Sequence, residues 1–216
     1  MFASGARAWL AVLAAGCALF VGATVVACRS QPPATVGAST VASLEASPPA
    51  SGPAVPVHAG SLPSAAPQLP PVRLSIAAIA VDVAVDPVGL DARSGDFDVP
   101  PSVSRVGWYR YGPGLEATTG SIVIAGHVDS AQQGTGAFFR LRELTAGDIV
   151  MVTGQDGQQH EFAVIAREEY AKTRIPLAKY FARDGATRLT LITCGGPFDA
   201  ATRHYRDNIV ITAIPR

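Results

Sequence analysis

Cys194 closes the alternating run Arg188-Leu189-Thr190-Leu191-Ile192-Thr193 and is followed at once by Gly195-Gly196-Pro197. A strand that ends in a glycine-rich loop presents its last side chain to solvent, where a thiol can act as a nucleophile. A buried cysteine serving as a small hydrophobe is the other reading. Cys17 and Cys28 lie in an apolar N-terminal stretch, so Cys194 stands alone in the remainder of the chain. In an exported domain thiols pair or oxidise, and a solitary one needs a chemical reason to persist. The usual zinc-binding spacing of Cys and His is absent, and no acidic cluster suggests a calcium site, so no metal and no cofactor is expected.

A cysteine nucleophile needs a proton partner and a group to hold the oxyanion that develops on the attacked carbonyl. Of the four histidines, His58 lies in a proline-rich stretch, His160 sits within a strand pattern beside Glu161, and His204 sits in a polar loop. His127 ends the apolar run Ile122–Ala125, follows Gly126 and precedes Val128-Asp129-Ser130. It occupies the same kind of place as Cys194, although a core histidine bonded to backbone would also satisfy that spacing. Arg203 and Arg206 follow Cys194 by nine and twelve residues. A guanidinium is permanently charged and carries several donors, which suits an oxyanion or a peptide carbonyl. A surface arginine is the ordinary alternative.

These residues need strands to carry them. Arg73–Ile76, Val81–Val85, Ser121–Gly126, Asp148–Thr153, His160–Ile165, Arg188–Thr193 and Asn208–Ala213 are short β-rich runs. The fourth and fifth flank Gly154-Gln155-Asp156-Gly157, a hairpin turn signal. Helical segments are few; Phe138–Leu144 and Leu177–Ala182 are the candidates. Seven or eight strands with Gly, Pro and Asp punctuation predict an all-β domain and leave a sandwich and a barrel both open. Residues 72–216 hold 15 basic and 16 acidic side chains, a net of −1. Without a basic face nucleic acid is not expected as a partner.

Residues 1–29 read as a targeting segment. Ala8 to Cys28 carries no charge and as a helix would span about 31 Å, close to the hydrocarbon thickness of a bilayer. It is read as a membrane anchor, as a lipoprotein signal with Val25-Val26-Ala27-Cys28 as lipobox, or as a cleaved signal. All three place the folded domain outside the membrane. Residues 30–71 hold ten of the 17 prolines and one charged residue, Glu45, and read as a disordered Pro/Ala/Ser-rich linker. Residues 72–216 are the expected catalytic domain.

Thr190-Leu191-Ile192-Thr193-Cys194 resembles the TLxTC signature of sortases, the cysteine transpeptidases of Gram-positive cell surfaces. Ile124-Ala125-Gly126-His127 resembles the family's histidine segment. Cys194-Gly195-Gly196-Pro197-Phe198-Asp199 with Tyr205-Arg206-Asp207-Asn208 is similar to actinobacterial class F sortases. The resemblance implies a closed eight-stranded β-barrel with short helices in its loops. It implies Cys194 as nucleophile, His127 as the acid that protonates the leaving amine, Arg206 as the cation on the carbonyl, and Thr193 as a residue that orients substrate or arginine. The loop from about Tyr170 to Arg188 would line the substrate groove. Implied partners are secreted proteins with LPxTG-like sorting signals and an amine acceptor in a cell-wall precursor or another protein. One departure leaves Arg203 open as the cation: many sortases carry Thr-Gly shortly before the arginine, and here Ala201-Thr202-Arg203-His204 has no glycine. A sorting-signal hydrolase and a non-catalytic tethered peptide-binding module are the alternatives.

Overall fold

A computed structural model describes residues 35–45, 68–93 and 96–216. The described residues belong to one compact unit that reaches to Arg216. The anchor or lipobox expectation for residues 8–28 lies outside the described residues. Among the described residues no helix is long and apolar enough to cross a membrane.

Eight strands close into a barrel: β1 (Pro71–Ile76), β2 (Val81–Val88), β3 (Val106–Tyr109), β4 (Ser121–Gly126), β7 (Ile149–Gly154), β8 (Gln159–Ala171), β9 (Arg188–Asp199) and β10 (His204–Pro215). The order around it is β1-β2-β3-β4-β9-β10-β8-β7. The two-stranded hairpin of β5 (Asp129–Ser130) and β6 (Gly134–Thr135) stands apart. Closure removes the free sheet edges that an open sheet exposes, which resolves the choice between sandwich and barrel. All seven expected strands form, and the hairpin at Gly154–Gly157 joins β7 to β8. The eighth, β3, is only four residues long, Val-Gly-Trp-Tyr, and three of them are buried. It has no alternation to betray it, because neighbours cover both faces. The helical candidates shrink to a 3-10 turn at Leu141–Glu143 and one short helix, α2 (Leu177–Tyr180).

The barrel interior is filled by every second residue of its strands. Leu74 and Ile76, Ile122 and Ile124, Val150 and Val152, Leu189 and Leu191, and Ile209 and Ile211 are all 4% exposed or less. Period-2 alternation delivers this directly. Six of the eight strand pairings are antiparallel; β2 with β3 and β4 with β9 are parallel.

One segment departs from the expected linker. Within residues 30–71, Val36 exchanges reciprocal backbone hydrogen bonds with Arg167 (2.7 and 2.9 Å), and α1 (Ala38–Glu45) follows it. β8 pairs with β7 only through Ala163, so its next residues have an open side, and Val36 takes it. Gly37 makes the approach possible: its φ is +76°, and a Cβ there would lie 2.1 Å from the Ile165 carbonyl oxygen. Val41 is then 1% exposed. Composition predicted disorder here because the partner lies more than a hundred residues further along the chain. The core makes a direct test: Leu191→Ala should lower stability by about 2–5 kcal/mol, read by urea denaturation.

Candidate active site

The parallel pairing of β4 with β9 builds the site. Ser121 pairs with Arg188 and Ala125 with Ile192. The ladder ends at that pair, and His127 and Cys194, each two residues further along the chain, both line one cleft. Parallel strands share a direction, so the residues that follow the ladder on β4 and β9 lie toward the same rim. Two side-chain bonds hold the register. Ser121 Oγ and Thr190 Oγ1 lie 2.7 Å apart near the start, and Thr193 Oγ1 donates to the Gly126 carbonyl at 2.8 Å near the end.

Cys194 is half-buried and forms no disulfide. It lies where two depressions meet. A polar cleft of about 550 Å³ is lined by His127, Asp129, Gln133, Lys172, Cys194, Arg203, His204 and Tyr205, among others. An apolar groove of about 710 Å³ is lined by Leu90, Phe97, Tyr109, Ala125, Ile175, Leu177, Phe181, Ile192 and again Lys172 and Cys194. His127 Nε2 lies 3.0 Å from the Pro100 carbonyl oxygen. A carbonyl only accepts, so Nε2 carries the hydrogen in this contact, and Nδ1 is the ring nitrogen left for proton exchange.

The two glycines after Cys194 have different physical reasons. A Cβ on Gly195 would stand 2.6 Å from Ile209 Cγ1, so the strand could not pack there. Gly196 has φ +69°, a conformation that costs other residues about 1–2 kcal/mol, and the Asp207 carboxylate covers it. Across the cleft, Tyr205 donates from its hydroxyl to Asp129 at 2.5 Å. That bond holds the phenol above its ordinary pKa and ties β10 to the β5–β6 hairpin.

The expected site residues are placed unequally. His127 and Cys194 share the cleft. Thr193 does not line it. Alternation turns its side chain inward, 3% exposed, onto the Gly126 carbonyl that precedes His127. That contact braces the two strand ends. Arg206 is not among the cleft-lining residues. It sits where the β9–β10 register shifts between Tyr205 and Asp207, 65% exposed at its side chain, with its guanidinium 3.2 Å from Asp199. Arg203 does line the cleft, and its φ is +57°. Lys172 was missed by sequence reasoning, since a lysine at a strand end has no local signal. Among the described residues no group of three or more His, Cys, Asp or Glu side chains could hold a metal ion.

The sortase domain family matches residues 74–216, and the chain belongs to that family. No curated protein matches the chain at a significant level. Among solved structures, it is similar to sortase A from Corynebacterium diphtheriae, with 20% identity and a TM-score of 0.50 over 69% of this chain and 62% of that one. It is similar to a lid mutant of the same enzyme, with 21% identity and a TM-score of 0.52 over 71% and 74%. Sortase C-1 from Actinomyces oris matches with 19% identity and a TM-score of 0.50 over 67% and 72%. The chain thus spans less than two thirds of the first of these structures, and at such identities they speak for the shared barrel.

Two expected outcomes follow from the site. Gly196→Ala should lower stability by about 1–2 kcal/mol, measured by urea denaturation. Beside the rim, burial, and then the nearby Asp207 carboxylate, raise the pKa of Glu169, while Arg142 and Arg167 oppose them. A carboxyl whose folded-state pKa is raised contributes stability below its unfolded value and loses it as pH rises through the folded one. Glu169→Gln should therefore be more stable than wild type at pH 7.5, with the difference gone near pH 4. Paired urea titrations at the two pH values check this.

Proposed function

We propose that this chain is a cell-surface cysteine transpeptidase of the actinobacterial class F type. In this reading, residues 8–28 hold it to the membrane and its catalytic domain lies outside. It cleaves the C-terminal sorting signal of secreted proteins and transfers the acyl part to an amine of a cell-wall precursor or another protein. The carrying observation is that His127 and Cys194, which lie just past the β4–β9 ladder, line one cleft, and Cys194 also lines the neighbouring apolar groove.

In this reading the Cys194 thiolate attacks a backbone carbonyl of the sorting signal, which lies along the apolar groove. The C–S bond forms, and the carbonyl electron pair moves to oxygen. A guanidinium stabilises that oxyanion more in the transition state than in the ground state, which lowers the barrier. The pair returns, the C–N bond breaks, and His127 delivers a proton to the leaving amine. A thioester on Cys194 remains. The acceptor amine attacks it, His127 takes up the amine's proton, and the thiolate is released with a new amide bond.

Arg206 is assigned the carbonyl-holding role, and two observations support it. Arg203 occupies a left-handed backbone position at the β9–β10 turn, the conformation for which glycine is preferred. Thr202-Arg203 therefore stands where the family's Thr-Gly would, and Arg206 falls at the family's arginine. Arg206 also lies two residues before Asn208, which pairs with Cys194. Its bond to Asp199 is solvent-exposed, and such pairs contribute little, so a substrate carbonyl can replace the carboxylate.

Screening the full chain against a peptide library, with intact-mass detection of an acyl adduct, tests the reading. A thioester adduct is expected on wild type and none on Cys194→Ala. Arg206→Ala should lower kcat/KM at least 100-fold with the fold retained, and Arg203→Ala less than fivefold. Failure of any peptide to acylate Cys194 would overturn the assignment. Adding an amine separates transfer from hydrolysis, since a transpeptidase forms the aminolysis product.

A further inference from the structure

The apolar groove has one wall that cannot hold itself in place. α2 is four residues long, too short to be stable alone, and no side chain caps its N-terminus at Pro176. Yet Leu177 on this helix and Phe181 just after it line the groove beside Cys194. Leu177 is 54% exposed, so its own burial does little to anchor it.

What holds the helix lies behind it. Glu168 on β8 is 3% exposed, and its carboxylate accepts from three side chains. Tyr170 donates from its hydroxyl to Oε1 at 2.8 Å and Tyr180 to Oε2 at 2.8 Å, while Lys179 Nζ stands 3.2 Å from Oε1 and 3.4 Å from Oε2. Two of these donors, Lys179 and Tyr180, belong to α2. The two hydroxyl oxygens stand 3.0 Å apart. From the other side Arg188, 2% exposed, donates to the carbonyls of Lys179 at 3.0 Å and Ala186 at 3.1 Å. A buried carboxylate is tolerated only when its lone pairs are filled, and here they are filled by the element that needs fixing.

We infer that Glu168 is a positioning residue for peptide recognition: it clamps α2 so that Leu177 and Phe181 form a rigid wall against which an apolar segment of the peptide is selected. The inference rests on the transpeptidase reading. Glu168 does not touch the reacting atoms, so losing it should weaken recognition and leave the chemistry of Cys194 intact. Glutamine keeps the shape but presents one acceptor oxygen and an NH₂ group where three donors converge, so the clamp cannot close.

The test compares full-length wild type, Glu168→Gln and the milder Tyr180→Phe, which serves if the first fails to fold. Three readouts are taken: steady-state kinetics on a cleaved peptide, alkylation of Cys194 by iodoacetamide, and amide hydrogen exchange. Glu168→Gln should raise KM at least tenfold with kcat within threefold and the alkylation rate unchanged. Exchange should accelerate at residues 175–182 while β4 and β9 stay protected. The preference for the peptide's apolar residue over alanine should shrink in the variant. A wild type that cleaves normally, with a variant unchanged in KM or slowed in kcat alone, overturns the clamp and leaves the transpeptidase standing. Unchanged exchange at residues 175–182 overturns it too. A wild type that cleaves no peptide overturns the transpeptidase reading, and the clamp's role in recognition falls with it.

Discussion

The parallel pairing of β4 with β9 is the constraint on which the site depends. Parallel neighbours run about 4.7–4.9 Å apart and end at the same rim, so whatever follows each strand is delivered to one place. Here a histidine follows β4 and a cysteine lies on β9 two residues past its last pairing with β4, and both line one cleft. A slip of one residue would turn every side chain to the opposite face and send Cys194 into the barrel. The Thr193–Gly126 bond is made at the last point where such a slip could begin. Its burial matters, because breaking it would strand a carbonyl away from water.

The barrel interior supplies rigidity, and the rim supplies chemistry. The inward residues Ile122 and Ile124 on β4 and Leu189 and Leu191 on β9 are aliphatic and fully buried. Outward positions near the rim, Ala125 and Ile192, form part of the groove instead. One strand therefore serves both the core and the site, on alternate residues. Cys194 falls at the boundary between a polar cleft and an apolar groove.

Polar groups buried away from the site do structural work. Glu168 and Arg188 each lie almost wholly out of water, and each is satisfied by the loop that contains α2. Burial and the bonds to Tyr170 and Glu168 push the Tyr180 phenol far above its ordinary pKa, so it remains a hydrogen-bond donor throughout the working range. A network of this kind is stable only when complete, which makes the loop's conformation specific.

The barrel strands announce themselves by alternation, and His127 by its position after a strand that ends in glycine. These are local signals, set by the two-residue period of a strand and by the freedom of glycine. The expected strand end at Cys194 did not hold, because β9 runs on through Gly195, Gly196 and Pro197 to Asp199, paired with β10. Sequence alone thus determined an all-β domain, and it named the thiol and the imidazole that the fold places in one cleft. It did not reveal β3, whose four residues are covered on both faces. Nor did it reveal the docking of Val36 on β8, Lys172 at the cleft or the clamp on α2, because each depends on a partner distant along the chain. Only tertiary structure decided these, because strand order and register set which distant residues become neighbours, and a residue's own type carries no information about its future partner.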